Sequence, residues 1–462
     1  MKILIIAYYF SPVQKIGAVR PSKLAKYLVK LGADVTVLTV DTEYIQNNID
    51  PLLNNEKNLY GQVCGIKVGC LGKISEKVIN FIKRTSKQVV QTQNNSHKLC
   101  NTADEKIHIK ILKSIKEKTT KILNLIYYRS WLKKCKNYMN HNYKNKMFDC
   151  VFSTYGPYEN LALGSYAVKK GYTNCWIADF RDSIIKQNDS LRERYRNISM
   201  LKNVCNNATH ITSVSRTGLE AAYKLLPNKE QKLAYKKTCI LYNGFDGDEY
   251  KCQLETFDND NEKYKFKLAY CGALYGNKRD LTLLFQALNE LISEGKIAQD
   301  DISIQYAGSQ YKWLLAQARN YKMESILVNH GIIPRSESIA LQAQSDAILV
   351  ATWNEDTVDG KGIITGKVYE SILVKRPVLA IVCGSCPDSE LGELLSEYRM
   401  GAAFEAADVN AKEKLKTWIL KQVKVKKSGE KLYEYNEKTY NYFHYKEIVK
   451  RLLEIIDITS QT

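Results

Sequence analysis

The chain opens on an unbroken apolar run, Ile3-Leu4-Ile5-Ile6-Ala7, directly after Met1-Lys2. A short run without polar alternation is expected of a strand buried on both faces, as in a parallel sheet. A loop with Pro12 and Gly17 follows, and then Val19, Leu24, Ala25, Leu28 and Leu31 recur at helical spacing. Gly32 ends that helix, and the alternating stretch 33–40 supplies a second strand. The first forty residues therefore read as a βαβ unit. Further apolar runs predict strands at 148–153, 173–178 and 210–214.

The pattern breaks after Asn243-Gly244-Phe245-Asp246, where residues 247–265 turn polar and acidic and read as a linker. A second series begins beyond it. Strands are expected at 267–271, 302–307, 325–329, 347–351 and 377–382, with helices such as 281–292 and 313–321 between them. Strand–helix alternation repeated in this way predicts an α/β chain of two doubly wound domains. The boundaries expected are 1–245, with a basic insertion at about 75–147, then 246–435, and 436–462 as a C-terminal segment. Its amphipathic stretch 445–456 is expected to pack back on the first domain.

At 462 residues the chain is long enough for two cores of ordinary size. The opening apolar run is too short for a signal peptide, and no stretch reaches the roughly 20 apolar residues of a membrane-spanning helix. A cytoplasmic location is expected, and the twelve cysteines then read as reduced, mostly buried thiols. Cys383 and Cys386 have redox or metal-ligand spacing, but a zinc site needs a second such pair, which the sequence lacks.

The formal charge of +19 is unevenly placed. Between Lys106 and Lys146 stand twelve Lys and Arg against one acid, Glu117. Ile107, Ile111, Ile115, Ile122, Ile126 and Trp131 lie among them, which suits an amphipathic helix on an anionic membrane surface. A solvated basic hairpin is the alternative. Nucleic acid is not expected, because no aromatic-rich reading surface or binding motif accompanies the charge.

Three loops carry candidate chemistry. Ile16-Gly17-Ala18-Val19-Arg20 opens a helix after the first strand, where free backbone N–H groups can meet a phosphate; a structural turn reads equally well. The absence of GxGxxG argues against a dinucleotide site. Cys271-Gly272-Ala273-Leu274-Tyr275-Gly276-Asn277-Lys278-Arg279 leaves a strand through two glycines and presents two cations that can neutralise a diphosphate, or merely sit solvated at a turn. Gly360-Lys361-Gly362-Ile363-Ile364-Thr365-Gly366-Lys367-Val368-Tyr369-Glu370 puts a glycine-rich turn before a helix, and a carboxylate such as Glu370 can accept from two ribose hydroxyls. Asp179, Arg181 and Asp182 follow a strand at the mouth of the first sheet, placed either to orient an acceptor or to form a buried ion pair.

In order along the chain, Tyr9-Phe10-Ser11-Pro12, Asp179-Phe180-Arg181-Asp182, Asn243-Gly244-Phe245-Asp246, Gly272-Ala273-Leu274-Tyr275 and Thr365-Gly366-Lys367-Val368-Tyr369-Glu370 resemble the motifs of family 4 glycosyltransferases of the GT-B fold. The branch most similar assembles capsule, O-antigen and other bacterial surface polysaccharides. The resemblance implies two Rossmann-like domains facing across a cleft and a retaining transfer from an NDP-sugar, with no bound metal or other cofactor. The implied acceptor is a lipid-linked or oligosaccharide chain, with the protein peripheral on the inner face of the membrane.

By the same resemblance, Lys278 matches the phosphate-binding lysine, with Arg279 assisting, and Glu370 matches the ribose-binding glutamate. Gly17 matches the N-terminal glycine near the diphosphate. Gly272, Gly362, Ile363, Thr365, Gly366 and Lys367 would complete the donor side. Asp182 joins Lys278 and Arg279 as a catalytic candidate; Asp179, Arg181 and Arg20 would face the acceptor. The chain departs from the family at Gly362, where a partner glutamate is expected, and at Ala273, where many relatives carry arginine. These departures keep open a nucleotide-sugar-binding or scaffold protein with impaired catalysis. An NDP-sugar epimerase on the same fold is the other alternative, but it needs a carboxylate–histidine acid/base set that the sequence does not show.

Overall fold

A computed structural model describes residues 1–42, 49–95, 103–144, 147–248, 265–430, 433 and 436–460, without side-chain placement for 83–95, 103–114, 277, 459 and 460. Most of the expected linker, 249–264, lies outside the described residues, as do the side chains of Ile107 and Ile111.

In the first half the order is β1 (Lys2–Ile6), α1 (Ile16–Lys30), β2 (Asp34–Val40), α2 (Pro51–Asn55), β3 (Gln62–Ile66), α3 (Cys70–Asn95), α4 (Ala103–Asn142), β4 (Cys150–Thr154), α5 (Tyr158–Lys169), β5 (Trp176–Phe180), α6 (Leu191–Asn207), β6 (His210–Ser213), α7 (Arg216–Tyr223), α8 (Asn228–Lys237) and β7 (Thr238–Ile240). The strands form one seven-stranded sheet in the order β3-β2-β1-β4-β5-β6-β7. Ile3, Leu4, Ile5 and Ile6 of β1 are fully buried, as an unbroken apolar run requires. Parallel pairing of β1 with both β2 and β4 makes β1/β4 the point where strand order reverses.

The second half runs β8 (Phe266–Cys271), α9 (Thr282–Ser293), β9 (Ile302–Ala307), α10 (Tyr311–Arg319), β10 (Leu327–Gly331), α11 (Arg335–Ala343), β11 (Ala347–Trp353), α12 (Lys367–Leu373), β12 (Val378–Cys383), α13 (Glu390–Glu397), β13 (Gly401–Glu405), α14 (Ala411–Ser428), α15 (Glu437–Phe443) and α16 (Tyr445–Ser460). Its sheet, β10-β9-β8-β11-β12-β13, is parallel throughout and reverses order between β8 and β11. Leu268 and Ile304 from the strands pack with Leu284, Leu288 and Leu291 of α9 in one core. Each such fully buried side chain contributes about 1.5–3 kcal/mol.

Two sheets of this kind are the doubly wound architecture read from the sequence. By density of contacts the chain divides into two compact units, Met1–Asp179 with Asn206–Ile211, and Phe180–Cys205 with Thr212–Thr462.

Some expected elements are shifted. The strand anticipated at 173–178 starts at Trp176, because Thr173 Oγ1 accepts from the Cys175 amide and donates to its carbonyl, closing a turn. The strand anticipated at 325–329 begins at Leu327 because Glu324–Ile326 coils into a 3₁₀ turn.

The basic segment is helical, as expected, and lies in α4; its apolar face needs correction. The long helices α3 and α4 pack on each other where Gly72 meets Ser130; a Cβ on Gly72 would stand 3.1 Å from the Ser130 Cβ. Trp131 is not on an outer apolar face: it is fully buried, with its ring centre 5.0 Å from that of Tyr8. The outer face carries Ile115, Ile122 and Ile126 on α4, and an apolar stripe of Leu71, Ile74, Val78 and Phe81 on α3. That stripe repeats at i, i+3, i+7 and i+10, which is one helix face, and exposed Lys73 and Lys77 run beside it. No helix among the described residues is long and apolar enough to cross a membrane.

Candidate functional site

In an open α/β sheet, ligands bind beyond the carboxyl ends of the strands that flank the reversal of strand order. In the second sheet these strands are β8 and β11, and both candidate donor loops leave from them.

The chain leaves β8 through Gly272 at φ 151°. Tyr275 follows in the left-handed region, at φ 52° and ψ 44°. That conformation costs a non-glycine residue about 1–2 kcal/mol, and the surroundings hold it in place. Gln310 Oε1 accepts from the amides of Leu274 and Tyr275 at 2.6 and 2.9 Å. Arg279 Nη1 donates to the Ala273 carbonyl at 2.9 Å. Arg279 thus fastens the loop while its guanidinium lies 4.5 Å from the Tyr275 ring centre. Lys278 is exposed, with Nζ 5.4 Å from the ring centre of Trp353, the last residue of β11.

Thr352, beside Trp353, donates from Oγ1 to the Ile363 carbonyl at 3.2 Å and ties β11 to the glycine-rich turn. Gly362 is at φ 66°, and a Cβ there would fall 1.8 Å from Ser215 Oγ. The position where relatives are expected to carry a glutamate is therefore closed to any side chain. Beyond the turn, Gly366 caps α12, and Lys367 and Glu370 meet on its first turn at 2.6 Å. Gln342 Nε2 donates to the same Glu370 oxygen at 2.9 Å. Burial pushes the Glu370 carboxyl up, but Lys367, Arg335 and the Gln342 bond outweigh it and hold it below the usual carboxylate range. Both bonds fall on Oε2; among the described residues Oε1 accepts none. Three buried polar atoms of this neighbourhood also lack partners among the described residues: Arg279 Nε, Gln342 Oε1 and Thr365 Oγ1.

Beside the turn, a polar cavity of about 460 Å³ is lined by Thr217, Glu220, Lys224, Asn354, Lys361 and Glu390. Glu390 is buried and caps α7, accepting from the Arg216 and Thr217 amides at 2.7 and 2.9 Å and from the Ser215 and Thr217 hydroxyls.

In the first sheet, Gly17 is buried in the opening turn of α1. Arg20 and Asp179 are both buried and face one another. Asp179 is thus held in a buried ion pair, one of the two readings open for it. Arg181 is half-buried and Asp182 exposed in the turn after β5. That turn adjoins the loop after β11, since Ser183 Oγ donates to the Val358 carbonyl at 3.4 Å and the Gln187 amide to Asp359 at 3.2 Å.

Cys383 and Cys386 are free thiols; burial pushes the Cys383 thiol up to about 11, unlike a redox-active thiolate. Among the described residues no group of three or more His, Cys, Asp or Glu could hold a metal ion. The sequence reading missed Trp353, Gln310 and Gln342. Trp353 carried a faint signal as an aromatic closing an apolar strand; the two glutamines carried none.

No family model and no curated protein matches the chain. Solved structures do resemble it. A sucrose-phosphate synthase from Thermosynechococcus elongatus superposes with a TM-score of 0.60 at 12% identity, over 100% of both chains. An α,α-trehalose 6-phosphate synthase from Burkholderia multivorans gives 0.58 at 10%, over 99% of this chain and 98% of the other. The lipopolysaccharide outer core galactosyltransferase WaaB, in its apo form, gives 0.55 at 10%, over 100% of both. The fold is therefore GT-B, with two Rossmann-like domains.

Proposed function

We propose that the chain is a retaining glycosyltransferase that moves a hexosyl unit from an NDP-sugar to a lipid-linked saccharide in the assembly of a surface polysaccharide. One observation carries the donor side of this reading. Lys278 and Arg279 follow β8, the turn to Glu370 follows β11, and these are the two strands that flank the strand-order reversal. Lys278 and Arg279 would take the diphosphate, and Glu370 Oε1 would accept from a ribose hydroxyl. In the step implied by the family resemblance, the bond from the anomeric carbon to the diphosphate breaks while the acceptor oxygen bonds on the same face. The acceptor proton passes to the departing diphosphate. Stabilising that leaving group is then the main contribution asked of Lys278 and Arg279, and no metal enters the step.

The acceptor side of the reading places Asp182 and the polar cavity near the acceptor, and the α3 stripe with its lysines on an anionic membrane. The test of the donor reading is thermal stability of the full chain against UDP, GDP, ADP, CMP and their common sugar conjugates, with and without EDTA. An upward shift with one nucleoside diphosphate, unchanged by EDTA, is expected. No shift with any of them would favour a GT-B protein without a working donor site.

A further inference from the structure

Trp353 and Tyr275 stand edge to face at the mouth of the donor loops, their ring centres 6.4 Å apart and their planes at 68°. Tyr275 is 58% exposed and Trp353 partly exposed, so neither ring is core packing. Each has a cation over it: Arg279 at 4.5 Å from Tyr275 and Lys278 at 5.4 Å from Trp353. Among the described residues, Lys278 has no carboxylate within ion-pair distance, and its ammonium rests over the negative face of the ring quadrupole. A diphosphate offers full negative charge and directed hydrogen bonds, and outcompetes a ring face for an exposed ammonium. Turning Lys278 to the diphosphate uncovers the Trp353 face. At the same end of β11, Gly362 leaves no room for a carboxylate to hold sugar hydroxyls.

We propose that Trp353 is the platform on which the donor's pyranose ring stacks through its C–H face, with Tyr275 as the side wall. The aromatic face takes the place of the missing carboxylate in positioning the sugar. An aromatic face is apolar and carries the negative side of the ring quadrupole, so it suits the weakly positive C–H bonds of an uncharged pyranose better than its hydroxyl edge. The proposal rests on the donor-site reading and adds which part of the donor these rings contact.

The experiment compares binding of UDP with UDP-glucose, UDP-galactose and UDP-N-acetylglucosamine, and of GDP with GDP-mannose, to the full chain by calorimetry. Trp353→Ala is expected to weaken the recognised conjugate about tenfold, the size of one lost ring contact, while leaving the bare diphosphate within about twofold. Trp353→Phe should keep most of the difference. Lys278→Ala should weaken both members of the pair. Tyr275→Gly removes the second ring while relieving its left-handed backbone, so a selective loss there cannot come from misfolding. Equal weakening of diphosphate and conjugate by Trp353→Ala would mean that the ring supports the nucleobase or Lys278, and would overturn the proposal. So would an unchanged affinity for the conjugate. If the wild-type chain bound neither diphosphate nor conjugate, the donor-site reading itself would fail, and this proposal with it.

Discussion

Arg20 and Asp179 are joined by a two-pronged ion pair: Nη2 donates to Oδ1 at 2.9 Å and Nε to Oδ2 at 3.2 Å. Thr154 Oγ1 adds a third bond to Oδ2 at 2.8 Å. The pair fastens the first helix of the chain to the end of β5 in the middle of the first sheet. Its side chains are 4% and 0% exposed, so removing one partner leaves the other charge buried.

Arg20→Ala is therefore expected to cost about 3–5 kcal/mol of unfolding free energy, the range for stranding a buried charge. Arg20→Met combined with Asp179→Leu should recover much of that loss. Urea unfolding of the single and double variants measures it. A single variant as stable as the wild type would show that water reaches the pair.

Gly362 gives a sharper expectation. A glutamate here would match the residue that the family resemblance leads one to expect, yet φ is 66° and a Cβ would fall 1.8 Å from Ser215 Oγ. Gly362→Glu should lose at least the roughly 1–2 kcal/mol of a left-handed non-glycine residue, and should bind an NDP-sugar no more tightly. A variant with unchanged melting temperature and tighter donor binding would show that the turn adapts readily.

His444 sets a pH dependence. Its Nδ1 accepts from the Lys446 amide at 3.1 Å, which requires the neutral ring, and its ring centre lies 5.5 Å from that of Phe245. Burial lowers its pKa below the ordinary 6.5; Asp246, Asp248 and Glu447 pull upward and Lys446 pushes down, without reversing the shift. A depressed folded-state pKa means that the stability is present above the unfolded value and is lost as pH falls from about 6.5 through the folded one. Unfolding free energy should therefore drop across that window, and His444→Gln should flatten the slope. Parallel curves for wild type and variant would remove His444 from the account.

Much of this was legible in the sequence, for definable reasons. Ile3–Ile6 announced a buried parallel strand because nothing polar interrupts them. The two candidate donor loops stood out because each puts glycines and lysines between a strand and a helix, and they recur in the order of the resemblance. Long-range partners were not. Lys278 and Trp353 are far apart in the chain, and only the parallel pairing of β8 with β11 brings their loops together. Gln342 reads as an ordinary helix residue until the fold aims it at Glu370. In the basic segment, charge was readable but the face was not. Trp131 looked like part of the outer stripe, whereas its packing on Tyr8 turns it inward, and exposed apolar positions on α3 join Ile115, Ile122 and Ile126 of α4.

That outward face is the basis for the last expectation. Leu71, Ile74 and Phe81 are 69%, 59% and 67% exposed on one stripe of α3. Lys73 and Lys77 flank it, and Lys118, Lys121, Arg129 and Lys133 are exposed on α4. Large apolar side chains left in water beside lysines fit the boundary between lipid headgroups and acyl chains, where each basic residue near an anionic surface adds about 1 kcal/mol. The full chain should therefore co-sediment with vesicles containing phosphatidylglycerol and much less with pure phosphatidylcholine. Binding should weaken as salt shortens the reach of the lysine charges. Ile74→Glu with Phe81→Glu should reduce it further while leaving any nucleotide-induced thermal shift intact, because neither residue belongs to the donor loops. Equal binding to both vesicle types, or none to either, would remove the membrane from the proposed function. Competition by RNA at equal charge would instead make the hairpin a general polyanion surface.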